Sequence, residues 1–144
     1  MGHVFEEIVA QAYLRLQKAR SLPSLREWSS WEGLDRDQRC VEMDIVARLT
    51  DKTMLTGAIK WNRHPVDASL YQNHLRDLHR LADSGQGWAR QGLSDDAAFL
   101  FVAAGGFDDS FHRVISTANV EVRAWTLEDF YSPDAADGPN VTTG

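Results

Sequence analysis

The sequence predicts a mixed α/β sandwich in which helices cover both faces of a central sheet. Three observations lead to this fold class: two alternating strand-like runs within residues 40–61, a continuous apolar run at residues 97–104, and helical periodicity on either side of them. A continuous apolar run of that length is typical of a strand that is buried on both faces. The predicted order of elements is α-β-β-β-α-β-α-β.

The two alternating runs form the predicted centre of the sheet. In residues 40–49, apolar side chains take every second position, which is the period of a half-buried strand. The opposite face of this run carries Glu42, Asp44, Val46 and Arg48. A polar turn follows, and residues 54–61 alternate again. If the two runs pair as a hairpin, Asp44 and Lys60 project on the same side, as a cross-strand ion pair or as two parts of a site.

The remaining elements follow from helical periodicity and from turn residues. Apolar positions recur every three to four residues in 3–20 and in 66–82, which predicts two amphipathic helices, the second beginning just after Pro65. The other expected elements are a strand at 25–31, a turn or loop at 32–39, a short helix at 108–117, a strand at 120–125 and a last helical turn from 126. From residue 132 onward Pro, Gly, Asp and Thr dominate, so we expect a single domain over 1–131 and a disordered tail over 132–144.

The charge is unevenly distributed along the chain. The net charge is −6, and residues 91–144 hold nine of the 21 acidic residues but only two of the 15 basic ones. A protein that binds DNA by general attraction to phosphates is normally basic. The composition therefore argues against strong non-specific DNA binding.

Several classes of protein are disfavoured by what the sequence lacks. The single Cys40 excludes an internal disulfide and fits a reducing compartment, so we expect a cytoplasmic protein. No apolar run approaches the roughly 20 residues needed to span a bilayer, and the first residues do not show the pattern of a signal peptide. The sequence also contains no Gly-x-x-x-x-Gly-Lys phosphate loop.

A series of short motifs carries a family likeness. The motifs are residues 2–8, 42–47, 57–61, 99–101, 106–107 and 125–129. In this order and spacing they resemble the C-terminal domain of archaeal-type ATPases, which is similar to the PD-(D/E)XK (restriction-endonuclease-like) nuclease superfamily. The resemblance covers about residues 2–131. It implies a restriction-endonuclease-like fold, and an ATPase module in the same chain or in a partner chain.

The resemblance also implies a chemistry and a set of residues. The superfamily hydrolyses phosphodiester bonds in DNA with one or two divalent ions, Mg²⁺ or Mn²⁺, held by carboxylates on the first helix and on neighbouring strands. By this resemblance Glu6 corresponds to the helix carboxylate, Asp44 to the strand aspartate and Lys60 to the lysine. Glu6, Asp44 and Lys60 are thus the expected catalytic residues, with Asp44 and Glu6 as metal ligands.

The sequence departs from the family pattern at one position. The acidic residue two before the lysine is Ala58 here, and alanine has no side-chain oxygen. Glu42 has the strand parity of Asp44 and is the one carboxylate that could substitute as a metal ligand. The sequence therefore predicts a degenerate nuclease-like domain that is weak or inactive in DNA hydrolysis. The alternatives are a non-catalytic module for DNA or protein contact, and an active nuclease whose missing ligand is Glu42.

Other polar and aromatic residues have ordinary structural readings beside functional ones. Arg63, Arg76 and Arg80 could contact phosphates, although a solvated helix face explains the last two equally well. The five histidines include no convincing pair of metal ligands. The tryptophans at 28, 31 and 61 fit packing in the core or at a sheet edge better than base stacking.

Overall fold

The computed structural model describes residues 2–20, 22–50 and 53–131. Side chains of residues 2–6, 18, 130 and 131 lie outside the description, as does the predicted tail over 132–144. The elements are α1 (Gly2–Ala19), β1 (Leu25–Leu34), β2 (Cys40–Leu49), β3 (Met54–Lys60), α2 (Ala68–Asp83), α3 (Gly87–Gly92), β4 (Ala98–Ala103), α4 (Asp109–Ser116), β5 (Glu121–Trp125) and α5 (Leu127–Tyr131). No helix in the described ranges is long and apolar enough to cross a membrane.

The five strands form one mixed sheet in the order β1-β2-β3-β4-β5. The first three strands pair antiparallel, while β3 with β4 and β4 with β5 pair parallel. Parallel neighbours need a crossover connection, and the helices α2 to α4 supply it. The predicted fold class and the predicted order of strands are confirmed.

Helices cover both faces of the sheet, and each face has its own core. The core on the α1 side contains Tyr13, Leu16, Ile45, Leu100 and Trp125. The core under α2, α3 and α4 contains Met43, Leu78, Phe99, Phe101 and Phe111. Residues of β4 alternate between the two cores and all six are buried, as the continuous apolar run predicts. Val46, which interrupts the polar face of β2 in the sequence, packs against the α2-side core.

Three local predictions differ from the structure. Strand β1 continues to Leu34, so part of the predicted turn at 32–39 is strand. Helix α2 begins at Ala68, because the Asp67 side chain accepts the Ser69 N–H at 2.9 Å and caps the helix two residues after Pro65. The sequence did not predict α3, a six-residue helix with glycine at both ends.

A buried ion pair joins the two ends of the domain. The Arg20 guanidinium, just after α1, donates to Asp129 Oδ1 at 2.5 Å, and both side chains are more than 90% buried. The second Asp129 oxygen accepts the Thr126 N–H at 2.7 Å, which caps α5 as predicted for the last helical turn.

The described tryptophans take part in packing. Trp28 packs against the α1-side core, and the ring centroids of Trp31 and Trp88 are 5.7 Å apart, which agrees with the packing interpretation of the sequence.

Candidate functional site

A cavity of about 150 Å³ opens on the α2 side of the sheet, where β2 and β3 stop pairing. It is lined by Glu42, Met43, Asp44, Gly57, Ala58, Lys60, Leu70, Asn73, His74 and Asp77. The strands therefore bring Asp44 and Lys60 to one cavity, as the hairpin interpretation expected. The Ala58 position, where the family pattern has an acidic residue, lies in the same cavity.

Asp44 occupies an irregular position of β2. Between the register pairs Ser29↔Val46 and Trp31↔Met43, β2 contains one residue more than β1, which is a β-bulge. Ile45 keeps its place opposite Gly57 of β3, so Asp44 is the additional residue. Its carboxylate Oδ2 accepts the backbone N–H of Ile59 at 2.9 Å.

Lys60 and Glu42 lie at the exposed rim of the cavity. Within the described residues, neither side chain has an ion-pair partner within 4 Å, so the cross-strand ion pair between Asp44 and Lys60 does not form. Glu42 stands opposite Glu32 of β1, which places two like charges on neighbouring strands. The bulge at Asp44 interrupts the alternation of β2, so strand parity does not carry Glu42 to the position of Asp44.

The described residues alone do not supply a three-ligand site for a divalent ion. They contain no group of three or more His, Cys, Asp or Glu side chains close enough to hold a metal. Mg²⁺ is commonly held by one or two carboxylates together with waters and phosphate oxygens at about 2.0–2.1 Å, and Ala58 contributes no side-chain oxygen. The side chain of Glu6 lies outside the described part of the chain, so its role as a catalytic residue and metal ligand stays a prediction, as do the roles of Asp44, Lys60 and Glu42.

Beneath the cavity, a buried polar pair fixes α2 to β3. The His74 Nε2 lies 2.9 Å from Thr56 Oγ1, and the imidazole packs edge-on against Phe99 and Phe101 at 4.8 and 5.2 Å between ring centroids. Burial among these rings lowers the pKa of His74 from 6.5 to about 3. The imidazole is therefore neutral at physiological pH and acts as a packing and hydrogen-bonding group.

Helix α2 adds two cavity residues that the sequence reasoning missed. Asn73 and Asp77 are four positions apart on the helix and face the cavity beside His74. Asp77 also lies 3.5 Å from the guanidinium of Arg76. The helical spacing of the two residues was visible in the sequence, but nothing there indicated that this face of α2 would meet the end of β3.

The predicted phosphate contacts do not converge on the cavity. Arg63, Arg76 and Arg80 are absent from its lining. Arg76 is paired with Asp77, and Arg80 lies close enough to the Asp35 carboxylate to help lower the pKa of Asp35, for which the Arg39 N–H is the larger cause. The nucleic-acid role of these three residues stays a prediction.

A repair endonuclease from Pyrococcus abyssi is similar in structure, with 13% sequence identity and a TM-score of 0.48 over 83% of this chain and 46% of that chain. The five-stranded mixed sheet and the order of elements agree with the fold class predicted from the sequence. This chain spans less than half of that enzyme. No protein-family model and no curated protein matches the sequence.

Proposed function

We propose that the chain is a degenerate nuclease-like domain that is weak or inactive in metal-dependent DNA hydrolysis. The observation that supports this most directly is the cavity itself: Asp44 and Lys60 line it together, and Ala58, which also lines it, has no side-chain oxygen. Hydrolysis of a phosphodiester needs a group that activates water and offsets the phosphate charge. Alanine at position 58 removes one ligand for a metal ion that would supply this chemistry, and the described residues contain no group of three or more acidic, His or Cys side chains that could replace it. An association with an ATPase module is part of the same proposal and rests on the sequence resemblance.

A plasmid assay tests the proposed loss of activity. We expect supercoiled plasmid to remain intact with the wild-type protein in Mg²⁺ or Mn²⁺, and Ala58→Glu to introduce metal-dependent nicking, because the new carboxylate enters the cavity two residues before Lys60. Ala58→Gln is the matched control, since it has nearly the same size without the charge. Metal-dependent cleavage by the wild type that disappears in both Asp44→Ala and Lys60→Ala would contradict the proposal and favour the active nuclease.

A second candidate is a non-catalytic module that contacts protein rather than DNA. Three carboxylates, on Glu42, Asp44 and Asp77, line the cavity against the single ammonium of Lys60. A surplus of negative charge repels phosphates and attracts basic groups. Fluorescence polarisation of a labelled duplex at low ionic strength separates the cases: absence of binding favours the protein-contact module, and salt-sensitive binding favours DNA.

A further inference from the structure

The junction of β2 and β3 contains a gap in backbone pairing that one side chain fills. Pairing between these strands runs from Arg48↔Met54 to Ile45↔Gly57 and stops at the bulge. On its other side β3 continues to pair with β4 through Lys60↔Ala103. The last three residues of β3 therefore have a neighbour on one side only.

The gap leaves one backbone donor of β3 without a strand partner. A backbone N–H that is removed from water needs an acceptor, and losing that acceptor costs free energy comparable to a hydrogen bond. The Ile59 N–H finds its acceptor in Asp44 Oδ2 at 2.9 Å, and Ile59 itself packs against the α1-side core. Hydrogen bonds from a backbone N–H to a carboxylate belong to the stronger class.

We infer that Asp44 serves the sheet and not a divalent ion: its carboxylate takes the place of a strand carbonyl and holds the end of β3 beside β2. The inference rests on the proposed loss of metal-dependent cleavage and adds a role for the residue that the family pattern makes a ligand. The bond to the Ile59 N–H gives the Asp44 carboxylate a role that needs no metal. Lys60 directly follows the bonded residue and lies at the rim of the same cavity.

Asparagine is the variant that separates the two roles. Asp44→Asn keeps an oxygen that can accept the Ile59 N–H but is a poor ligand for Mg²⁺ or Mn²⁺, whereas Asp44→Ala removes both functions. We expect Asp44→Ala to lower the melting temperature by about 5–10 °C and Asp44→Asn by less than half of that. Glu42→Ala is the matched control on the same strand and rim, and we expect it to change the melting temperature by less than about 2 °C.

Amide exchange gives a readout at the bond itself. By NMR, the hydrogen exchange of the Ile59 amide should accelerate at least about tenfold more in Asp44→Ala than in Asp44→Asn. If Asp44→Ala does not fold while Asp44→Asn does, the inference is also supported. Equal decreases in melting temperature in the two variants would overturn the inference, because the oxygen that accepts the Ile59 N–H would then not contribute to stability.

Metal titration distinguishes failure of this inference from failure of the proposed function. We expect MnCl₂ to leave the melting temperatures of the wild type and of Asp44→Asn equally unchanged. A rise in the wild type that is absent in Asp44→Asn would show that Asp44 binds the ion, which overturns the inference. That result can occur without any plasmid cleavage, whereas cleavage by the wild type is what overturns the proposed function.

Discussion

The two ends of the β2–β3 pair differ in backbone pairing and in exposure to solvent. At one end, residues 45–48 pair with 54–57, and all four residues on the β3 side are buried. At the other end the pairing stops, and β3 becomes progressively exposed from Ala58 to Lys60. The closed end holds the sheet together, while the open end creates the cavity. The same two strands thus supply a rigid frame and, within a few residues, an accessible polar site.

The largest effect is expected at the closed end, from Gly57→Ala. A Cβ at this position would lie 1.7 Å from the carbonyl oxygen of Leu100, so the backbone of β3 or β4 would have to move. We expect a loss of about 3 kcal/mol or more in the free energy of unfolding by urea titration. Gly87→Ala is the control, because its Cβ meets no atom within 4 Å and should change stability by less than about 1 kcal/mol. Similar results for the two variants would mean that the strands are not in close contact at Gly57.

A smaller effect is expected from pH, through His74, whose imidazole lies beside Thr56 of the closed end. Its folded-state pKa is about 3 against 6.5 when unfolded, so the unfolded chain takes up the proton first as pH falls. Stability should therefore decrease below pH 6.5, by up to about 1.4 kcal/mol per pH unit. The aspartates with lowered pKa, among them Asp67 and Asp108, lose their contribution only nearer their ordinary value of 3.8.

Urea titrations at pH 6.5 and 5 test the role of His74 in a pH range above the pKa of these aspartates. The wild type should lose about 1–2 kcal/mol between the two values. His74→Gln, which can still hydrogen-bond to Thr56, should lose much less over the same interval. An equal loss in both proteins would assign the pH dependence to other groups.

The smallest effect is expected at the open end, from Glu42→Lys. The substitution turns the like-charge pair Glu32↔Glu42 into an opposite-charge pair on an exposed part of the sheet. We expect a gain of about 0.5 kcal/mol in the free energy of unfolding, decreasing as salt is added. We expect the same gain from Glu32→Lys. A lower free energy of unfolding in either variant would indicate that a favourable partner stabilises the acidic side chain that was replaced.

The local periodicity of the sequence predicts most of the fold, whereas it does not predict the irregular features of the site. The alternation in residues 45–49 of β2, the buried run of β4 and the short helix after residue 108 are properties of neighbouring residues, and the structure confirms them. The prediction of one apolar face for all of β2 is wrong, because beyond the bulge Val41 and Met43 pack in the α2-side core. The short helix α3 has glycine at both ends and weak helix propensity, so its packing against α2 and β3 explains its formation.

The site could be predicted in part. The pairing of the two runs brought Asp44 and Lys60 to one cavity as expected. The bulge at Asp44 depends on how β1 and β3 each align with β2, which a single strand does not reveal. The contributions of His74 and Asp77 depend on where α2 lies across the sheet, and that position is set by contacts distant in sequence.

The ion pair between Arg20 and Asp129 has a consequence for biosynthesis, because its members lie 109 residues apart. An arginine that is buried without its carboxylate costs about 3–5 kcal/mol. While the ribosome is still making the chain, α1 cannot settle permanently beside β5 until α5 has emerged. A premature stop before residue 129 would therefore leave an uncompensated cation in the interior, and the nascent domain would remain open to proteases.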